Sequence, residues 1–379
     1  MNFQSSKITL LLIAMLVSVW AGAAGAIGGP VYEDHSLMVV GPFSLEEYHD
    51  FLREGHDVVE ILPDGTIKVV SRLSARDQLI ADYGAKIEIE NIEAYNRSRL
   101  DPTRDMGGYT TYGEAVVQMI ILSANPLLLV DTIGYSLEGR PLWGIKISDN
   151  VEVDEDEPEV YFNSLIHARE PIGLEITLDL IHQLLDNYGI DPTITSYVDE
   201  TEIWITPIVN PDGYVYNETT NPFGGGMWRK NLRDNGDGSY GVDLNRNWGF
   251  LWGLDDVGST DDGYDETYRG TAAWSEPEAL ALHDFIIAHD FSVIVNYHSY
   301  GNMYVRPFGF DRSVRNADMP KYSPLLDSLY HLNYYSITPS MYPTNGGAYD
   351  WQYGEQFEKR KIFGILPEVG YWFWPDAID

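Results

Sequence analysis

The sequence predicts an α/β fold, a mixed and partly parallel sheet flanked by helices, preceded by a small α+β domain. Three observations lead there. Strand-period and helix-period apolar runs alternate through residues 159–297. A β-α-β-β-α-β order fits within residues 36–92. The 379-residue chain is 44% hydrophobic and 13% aromatic, enough for one large core and a smaller one, and too rich for a disordered acidic chain.

In chain order, Lys7 precedes an apolar run over 8–20, and Ala24-Gly25-Ala26 follows as a small-x-small cleavage site. The run is shorter than the roughly 20 residues of a bilayer span. Residues 1–26 therefore read as a signal peptide. The protein is expected to be secreted or extracellular, with the periplasm as an alternative, and to have no stable membrane association once the signal is cut.

Residues 31–100 carry the small domain. Residues 36–40 alternate as a strand, and Ser44 is placed to cap a helix over 45–53, with Glu46 and Glu47 in its first turn. Residues 57–62 and 66–71 are β-rich around the turn Pro63-Asp64-Gly65. Ser74 is expected to cap a helix over 75–83, ended by Gly84, and 86–92 alternates as a strand. The sum is the ferredoxin-like split unit. Its His35, His49 and His56 are expected to be structural or at the surface. Residues 96–108 are polar, with Pro102 and two glycines, and 101–108 are assigned as a linker.

Residues 109–379 form the larger domain. A strand is expected at 159–164, a helix at 171–188, a strand at 202–208, a helix at 279–289 and an apolar strand at 291–297. Such alternation predicts a largely buried, partly parallel sheet.

Charge and cysteine count then narrow the chemistry. Lys and Arg number 24 against 58 Asp and Glu, a net charge of −34. A field of that sign repels phosphate backbones and excludes a general nucleic-acid-binding role. With no Cys there can be no disulfide, thiolate site or Cys nucleophile, so any metal is held by His and carboxylates. The acidic loops 152–157 and 255–265, and Asn235-Gly236-Asp237-Gly238, read as solvated loops, with Ca2+ binding as the alternative.

His167-Ala168-Arg169-Glu170 follows a strand and precedes a helix. An imidazole and a carboxylate at this spacing can converge on one cation, and zinc favours the mixture. A third ligand should come from another strand end, and His298, just after the 291–297 run, is the best candidate. His182 and His283 lie inside helices and read as packing or surface residues. Amide hydrolysis also needs a base, donors for the oxyanion and a grip on the substrate. Arg169, Arg229 and Arg246 are candidate donors, since a guanidinium can hold a carboxylate through two parallel hydrogen bonds.

The ordered segments from about Tyr109 onward resemble the zinc metallocarboxypeptidase family, which includes carboxypeptidases A, B and T. They are the His167 segment, Asn210-Pro211-Asp212-Gly213, Met227-Trp228-Arg229-Lys230-Asn231, Gly241-Val242-Asp243-Leu244-Asn245-Arg246-Asn247-Trp248 and Tyr268-Arg269-Gly270. Ser275-Glu276-Pro277-Glu278, His298-Ser299-Tyr300, Tyr342 with Gly346-Gly347 and Asp350-Trp351, and Pro367-Glu368 complete the set. The resemblance implies a carboxypeptidase-like fold and one zinc held by His167, Glu170 and His298. It implies Glu368 as the general base, Arg229 as the oxyanion donor, and Asn245 and Arg246 as the clamp on the substrate's terminal carboxylate. Tyr342 would close over that carboxylate. Substrates would be the C-termini of peptides and proteins, and a monomer is expected.

The resemblance also suggests that residues 31–100 are a propeptide covering the cleft, an attached accessory domain being the alternative. Arg97, Arg99 and Arg104 are possible processing sites. Tyr349 falls where the family places a pocket-base residue, and with Gly309 it supplies no acid there, so neutral or hydrophobic C-terminal residues are expected. Family members usually continue into a final helix after the position of Glu368, so Tyr371 to Trp374 are expected to form exposed aromatic surface. Two other functions stay open on sequence: an endopeptidase of related fold acting on peptidoglycan stems, and a catalytically dead binding module. Intact ligands and clamp weigh against both.

Overall fold

Residues 29–376 are described in the computed structural model of the protein, and the expected signal peptide lies outside them. The small domain is built from β1 (His35–Val40), α1 (Leu45–Arg53), β2 (Asp57–Ile61), β3 (Ile67–Arg72), α2 (Leu73–Tyr83) and β4 (Lys86–Ile89). All its strands pair antiparallel, in the order β2-β3-β1-β4, which is the ferredoxin-like order. Ser44 begins α1 with a reciprocal cap: its hydroxyl accepts from Glu47 N at 3.3 Å, and its own N–H donates to the Glu47 carboxylate at 2.8 Å. Such a cap stabilises a helix by about 1 kcal/mol.

Apolar residues stand next to one another in β1, β2 and β3 because both faces are buried there. Met38, Val58 and Val69 pack with Phe51 and Leu79 of α1 and α2. Their neighbours Leu37, Val59 and Val70 point the other way and join the core of the larger domain. Side chains alternate across a strand, so one sheet serves two cores.

Three boundaries differ from expectation. Helix α2 starts at Leu73, with Arg72 at the cap position making no side-chain cap bond. Ser74 sits inside the first turn, where its N–H and hydroxyl donate to the Glu33 carboxylate at 2.5 and 2.9 Å. Strand β4 ends at Ile89, and Asn91 caps a further helix, α3 (Ile92–Arg99), by accepting from Ala94 N at 2.7 Å. The polar stretch from Asn96 thus begins within a helix. Its polarity misleads because the buried polar groups are paired: Glu93 with His35 and Tyr32, and Asn96 with Gly225 O and the Trp372 indole. The assigned linker 101–108 is an exposed turn followed by a 3-10 helix (Asp105–Gly108).

The larger domain adds α4 (Tyr112–Leu122), β5 (Leu128–Tyr135), β6 (Pro141–Ile147), β7 (Glu159–Asn163), α5 (Ile172–Asn187), α6 (Pro192–Asp199) and β8 (Glu202–Thr206). It continues with α7 (Pro211–Thr220), α8 (Pro277–Ala288), β9 (Phe291–Asn296), β10 (Met303–Val305), α9 (Met319–Asn333), β11 (Ser336–Thr338), α10 (Ala348–Gly354) and β12 (Phe363–Glu368). The eight strands lie in the order β11-β10-β12-β9-β7-β8-β6-β5. The central β12, β9, β7 and β8 are parallel, and antiparallel pairs flank them. On one face Ile203 and Ile205 pack with Leu174, Leu178 and Ile181 of α5. On the other, Tyr161 and Trp204 pack with Leu282, Phe285 and Ile286 of α8. Because the central strands run the same way, their carboxyl ends meet at one edge, where α/β sheets hold their sites.

The expected aromatic surface at Tyr371 to Trp374 is confined to Tyr371. Trp372, Phe373 and Trp374 are buried. Trp374 packs edge-on against Tyr109 and donates to Gly226 O at 3.0 Å, while Trp372 contacts Tyr95 and Tyr300. Helix α3 and the segment after it supply this cover. Among the described residues no helix is long and apolar enough to cross a membrane.

Candidate active site

Strand β7 and the turn after it deliver His167 and Glu170, and β9 delivers His298. The backbone beyond β9 stays zipped to β12: His298 N donates to Pro367 O at 2.9 Å and Val369 N to His298 O at 2.8 Å. That ladder holds Glu368, the last residue of β12, beside His298. Beneath the edge, Asn163 donates to Asn296 at 3.0 Å, and Asn296 exchanges hydrogen bonds with Gln352 of α10. The buried amides are satisfied by one another, which fixes the relative height of the two strand ends.

His167, Glu170 and His298 are all buried, and their ligating atoms lie within 4.8 Å of one another. His167 Nδ1 is 2.8 Å from Glu170 Oε1, His298 Nδ1 is 3.0 Å from Glu170 Oε2, and the two Nδ1 atoms are 3.1 Å apart. On its far side, His167 Nε2 meets Asp243 Oδ1 at 3.2 Å. A proton held there leaves Nδ1 unprotonated toward the cluster. Burial alone would raise the Glu170 carboxyl, but His167 and His298 outweigh it and hold it below the usual range. Burial pushes the His298 imidazole down, against the pull of Glu170.

Asp243 organises the rest. It accepts from Arg229 Nη2 at 2.8 Å and from Asn245 N at 2.8 Å, and lies 3.9 Å from Arg246 Nη1. Burial works against its charge, but Arg229, Arg246 and His167 keep the carboxyl well below its ordinary value. Arg229 Nη1 then sits 3.3 Å from His167 Nδ1 and 3.9 Å from Glu170 Oε1. Arg246 is held through Asn245 O at 2.8 Å, and Asn245 Oδ1 accepts from Ala348 N at 2.9 Å.

His167, Glu170, His298, Arg229, Asn245 and Arg246 line one cavity together with Glu368, Tyr342, Tyr349 and Arg169, so every site residue singled out from sequence meets there. Burial raises the Glu368 carboxyl well above its usual range, and the Glu170 charge adds to this, over the opposing arginines. Tyr349 is buried with its hydroxyl 3.3 Å from Thr344 Oγ1. A methyl group on Gly309 would meet that hydroxyl at 1.8 Å, so Gly309 is what lets the phenol reach across the pocket. Asp350 faces away from the cavity and accepts from Gly309 N and Phe310 N. Arg169 is engaged by the small domain: its guanidinium grips Asp57 of β2 at 2.5 and 3.0 Å and stacks 4.4 Å over the Phe373 ring. Val58 and Val59 of β2 also line the cavity, whose water-accessible space is about 60 Å³.

The family model for zinc carboxypeptidases matches residues 122–377. The chain belongs to the zinc carboxypeptidase family. Carboxypeptidase A2 from Rattus norvegicus is 30% identical over 97% of this chain and 93% of its own length. A zinc carboxypeptidase from Saccharothrix mutabilis subsp. capreolus is 39% identical over 47% of this chain and 42% of its own length. The crystal structure of carboxypeptidase A from Helicoverpa armigera superposes with a TM-score of 0.75 at 25% identity, covering 91% of this chain and 93% of that one.

Membership makes this protein a zinc metallocarboxypeptidase, a hydrolase acting on peptides, and zinc is the metal its family implies. Two imidazoles and one carboxylate are a donor set that suits zinc. Two facing Nδ1 atoms beside one carboxylate, with a second carboxylate orienting the first ring, fit a cation among them.

Calcium gains no such support. Asp154 of the first acidic loop approaches Glu159 and Glu202 at the starts of β7 and β8, but Lys146 Nζ already sits 2.8 Å from Glu202, and His289 and Asp290 N take both oxygens of Glu159. In the 255–265 loop Asp255 and Asp262 cap backbone amides, and Asp256 pairs with Arg269. Asp237 of the Asn235-Gly236-Asp237-Gly238 turn likewise accepts from Ser239. Sequence reasoning missed two site residues. Asp243 stood inside a matching segment without a role, and Asp57 gave no local signal at all, since its partner is 112 positions away.

Proposed function

We propose that the protein is a secreted carboxypeptidase that removes single C-terminal residues, favouring neutral or hydrophobic ones. The observation that carries this reading is that Asn245 and Arg246 line the same cavity as the His167, Glu170 and His298 cluster. A carboxylate grip beside a metal site selects chain ends, because only a chain end offers a carboxylate there.

Zinc supplies Lewis-acid polarisation at the scissile bond when bound. Arg246 and Asn245 hold the terminal carboxylate, and Tyr342 closes over it. Glu368 takes a proton from the attacking water as its oxygen bonds to the carbonyl carbon. The C–N bond then breaks, and Glu368 passes that proton to the leaving amine. A buried carboxyl raised above its usual range suits a group that accepts and returns a proton. Arg229, fixed by Asp243, directs positive charge at the developing oxyanion. The Tyr349 phenol with Val305 and Leu366 makes an uncharged pocket lining, which supports the side-chain preference.

Residues 31–100 act as a covering propeptide in this reading. The Asp57–Arg169 pair and the Val58 and Val59 side chains occupy space that a substrate would use. Arg104 lies in the exposed turn before the larger domain and is the most accessible of the three arginines for cutting. The test is hydrolysis of a blocked dipeptide with a free C-terminus, before and after proteolytic activation and before and after chelation. Activity that appears on cutting, disappears with chelator and returns with zinc is the expected result. No activity in a cut, zinc-supplied preparation would overturn it.

A further inference from the structure

A second cavity, of about 600 Å³, opens beside the first and shares Val59, Tyr300, Ser340 and Met341 with it. None of Asn245, Arg246 or Tyr349 lines it. The space therefore lies on the far side of the reacting bond from the terminal-carboxylate grip, where upstream residues of an extended peptide would run.

Its catalytic-domain wall carries one cation, Arg312. In a chain of net charge −34, a cation finds carboxylates easily, yet Arg306, Arg312 and Arg315 form no ion pair among the described residues. Arg312 is exposed, and the cavity it lines adjoins the catalytic one through the four shared residues. Lys68 on the opposite wall is neutralised by Glu60 and Glu88, each 3.2 Å away. The small domain shows what the wall accepts: strand β2 is an extended segment that puts Asp57 on Arg169 and brings Glu60 into the second cavity.

We propose that Arg312 is a specificity-determining residue that receives an acidic side chain of an extended peptide substrate, upstream of the bond to be cut. This rests on the exopeptidase reading above. An exposed guanidinium attracts a carboxylate by Coulomb energy that salt screens, so the selection is moderate and ionic-strength dependent.

The test uses the preparation that hydrolyses the blocked dipeptide. Matched pentapeptides with the same C-terminal residue carry Glu or Lys at each of the four upstream positions, and kcat/KM is compared within each variant. Wild type should favour Glu by about fivefold at one position in low salt. That ratio should fall toward one in R312A, reverse in R312E, shrink in 0.5 M salt, and persist in R315A. An unchanged Glu-to-Lys ratio in R312A and R312E, with dipeptide hydrolysis intact, would overturn the role of Arg312 and leave the exopeptidase reading standing. Loss of dipeptide hydrolysis in wild type itself would bring down both.

Discussion

Asp57 and Arg169 form a two-pronged ion pair, at 2.5 and 3.0 Å, that ties the edge strand of the small sheet to the wall of the catalytic cavity. Both residues are buried. Removing one partner of a buried pair leaves an uncompensated charge, at a cost of roughly 3–5 kcal/mol. D57A should therefore lower the thermal midpoint of the uncut chain and raise its dipeptide hydrolysis several-fold. An uncut D57A chain no more active than wild type would refute the covering role of β2.

Docking of the small domain should also depend on pH. Arg72 of β3 holds Glu266 at 2.9 Å. Burial works against the Glu266 charge, but Arg72, then Lys230 and Arg169, bring the carboxyl down from its ordinary 4.5 to about 2. A depressed carboxyl stabilises the folded state above its unfolded value and loses that contribution as pH falls through its folded value. Stability should thus drop between about pH 4.5 and 2. R72Q should flatten that part of the curve of thermal midpoint against pH, and an unaltered acid limb would remove Arg72 as the cause.

Metal content separates ligands from their support. H167A, E170A and H298A should each lose the bound zinc measured by elemental analysis. D243N should keep it but with affinity reduced by about 10–100-fold, because the His167 ring is no longer oriented by a charged acceptor. Full zinc affinity in D243N would mean that His167 is positioned by packing alone.

Chemistry and metal should come apart at Glu368. E368Q should retain zinc and lose about 10²–10⁴-fold in kcat. R229A should lose about 10²–10³-fold in kcat, with a smaller change in KM. A zinc-loaded E368Q that turns over normally would assign the proton to another group.

The side-chain pocket offers a test in two directions. Y349D should move preference toward C-terminal Lys, since a carboxylate would then line the pocket. G309A should displace the Tyr349 hydroxyl, which a new methyl would meet at 1.8 Å, and raise KM for hydrophobic C-termini. Wild-type preference for Lys over Phe and Leu would contradict the uncharged lining.

Much of the fold is legible in local order. The Ser44 cap, the central strands from β7 to β9 and the helices between them follow from neighbouring residues and their period. The errors fall where local signals compete. Ser74 is a good cap by type, but Glu33 satisfies the start of α2 from outside the helix. Helix α3 looks like linker because Glu93 and Asn96 are polar, and only their partners His35 and Trp372 make them interior residues. The aromatic residues after Glu368 seem uncovered until α3 folds against them.

The ligand types, their order and the absence of Cys are properties of the chain, and they already point to a His and carboxylate metal site in a family of known chemistry. Their meeting is a property of the sheet. His167, His298 and Glu368 come together because β7, β9 and β12 are adjacent and parallel, so three distant strand ends share one edge. Asp57 reaching Arg169, and Glu60 and Arg312 sharing a cavity, depend further on how two cores dock through one sheet. Contacts between segments far apart in the chain carry no local period or spacing, so no run of residues could have announced them.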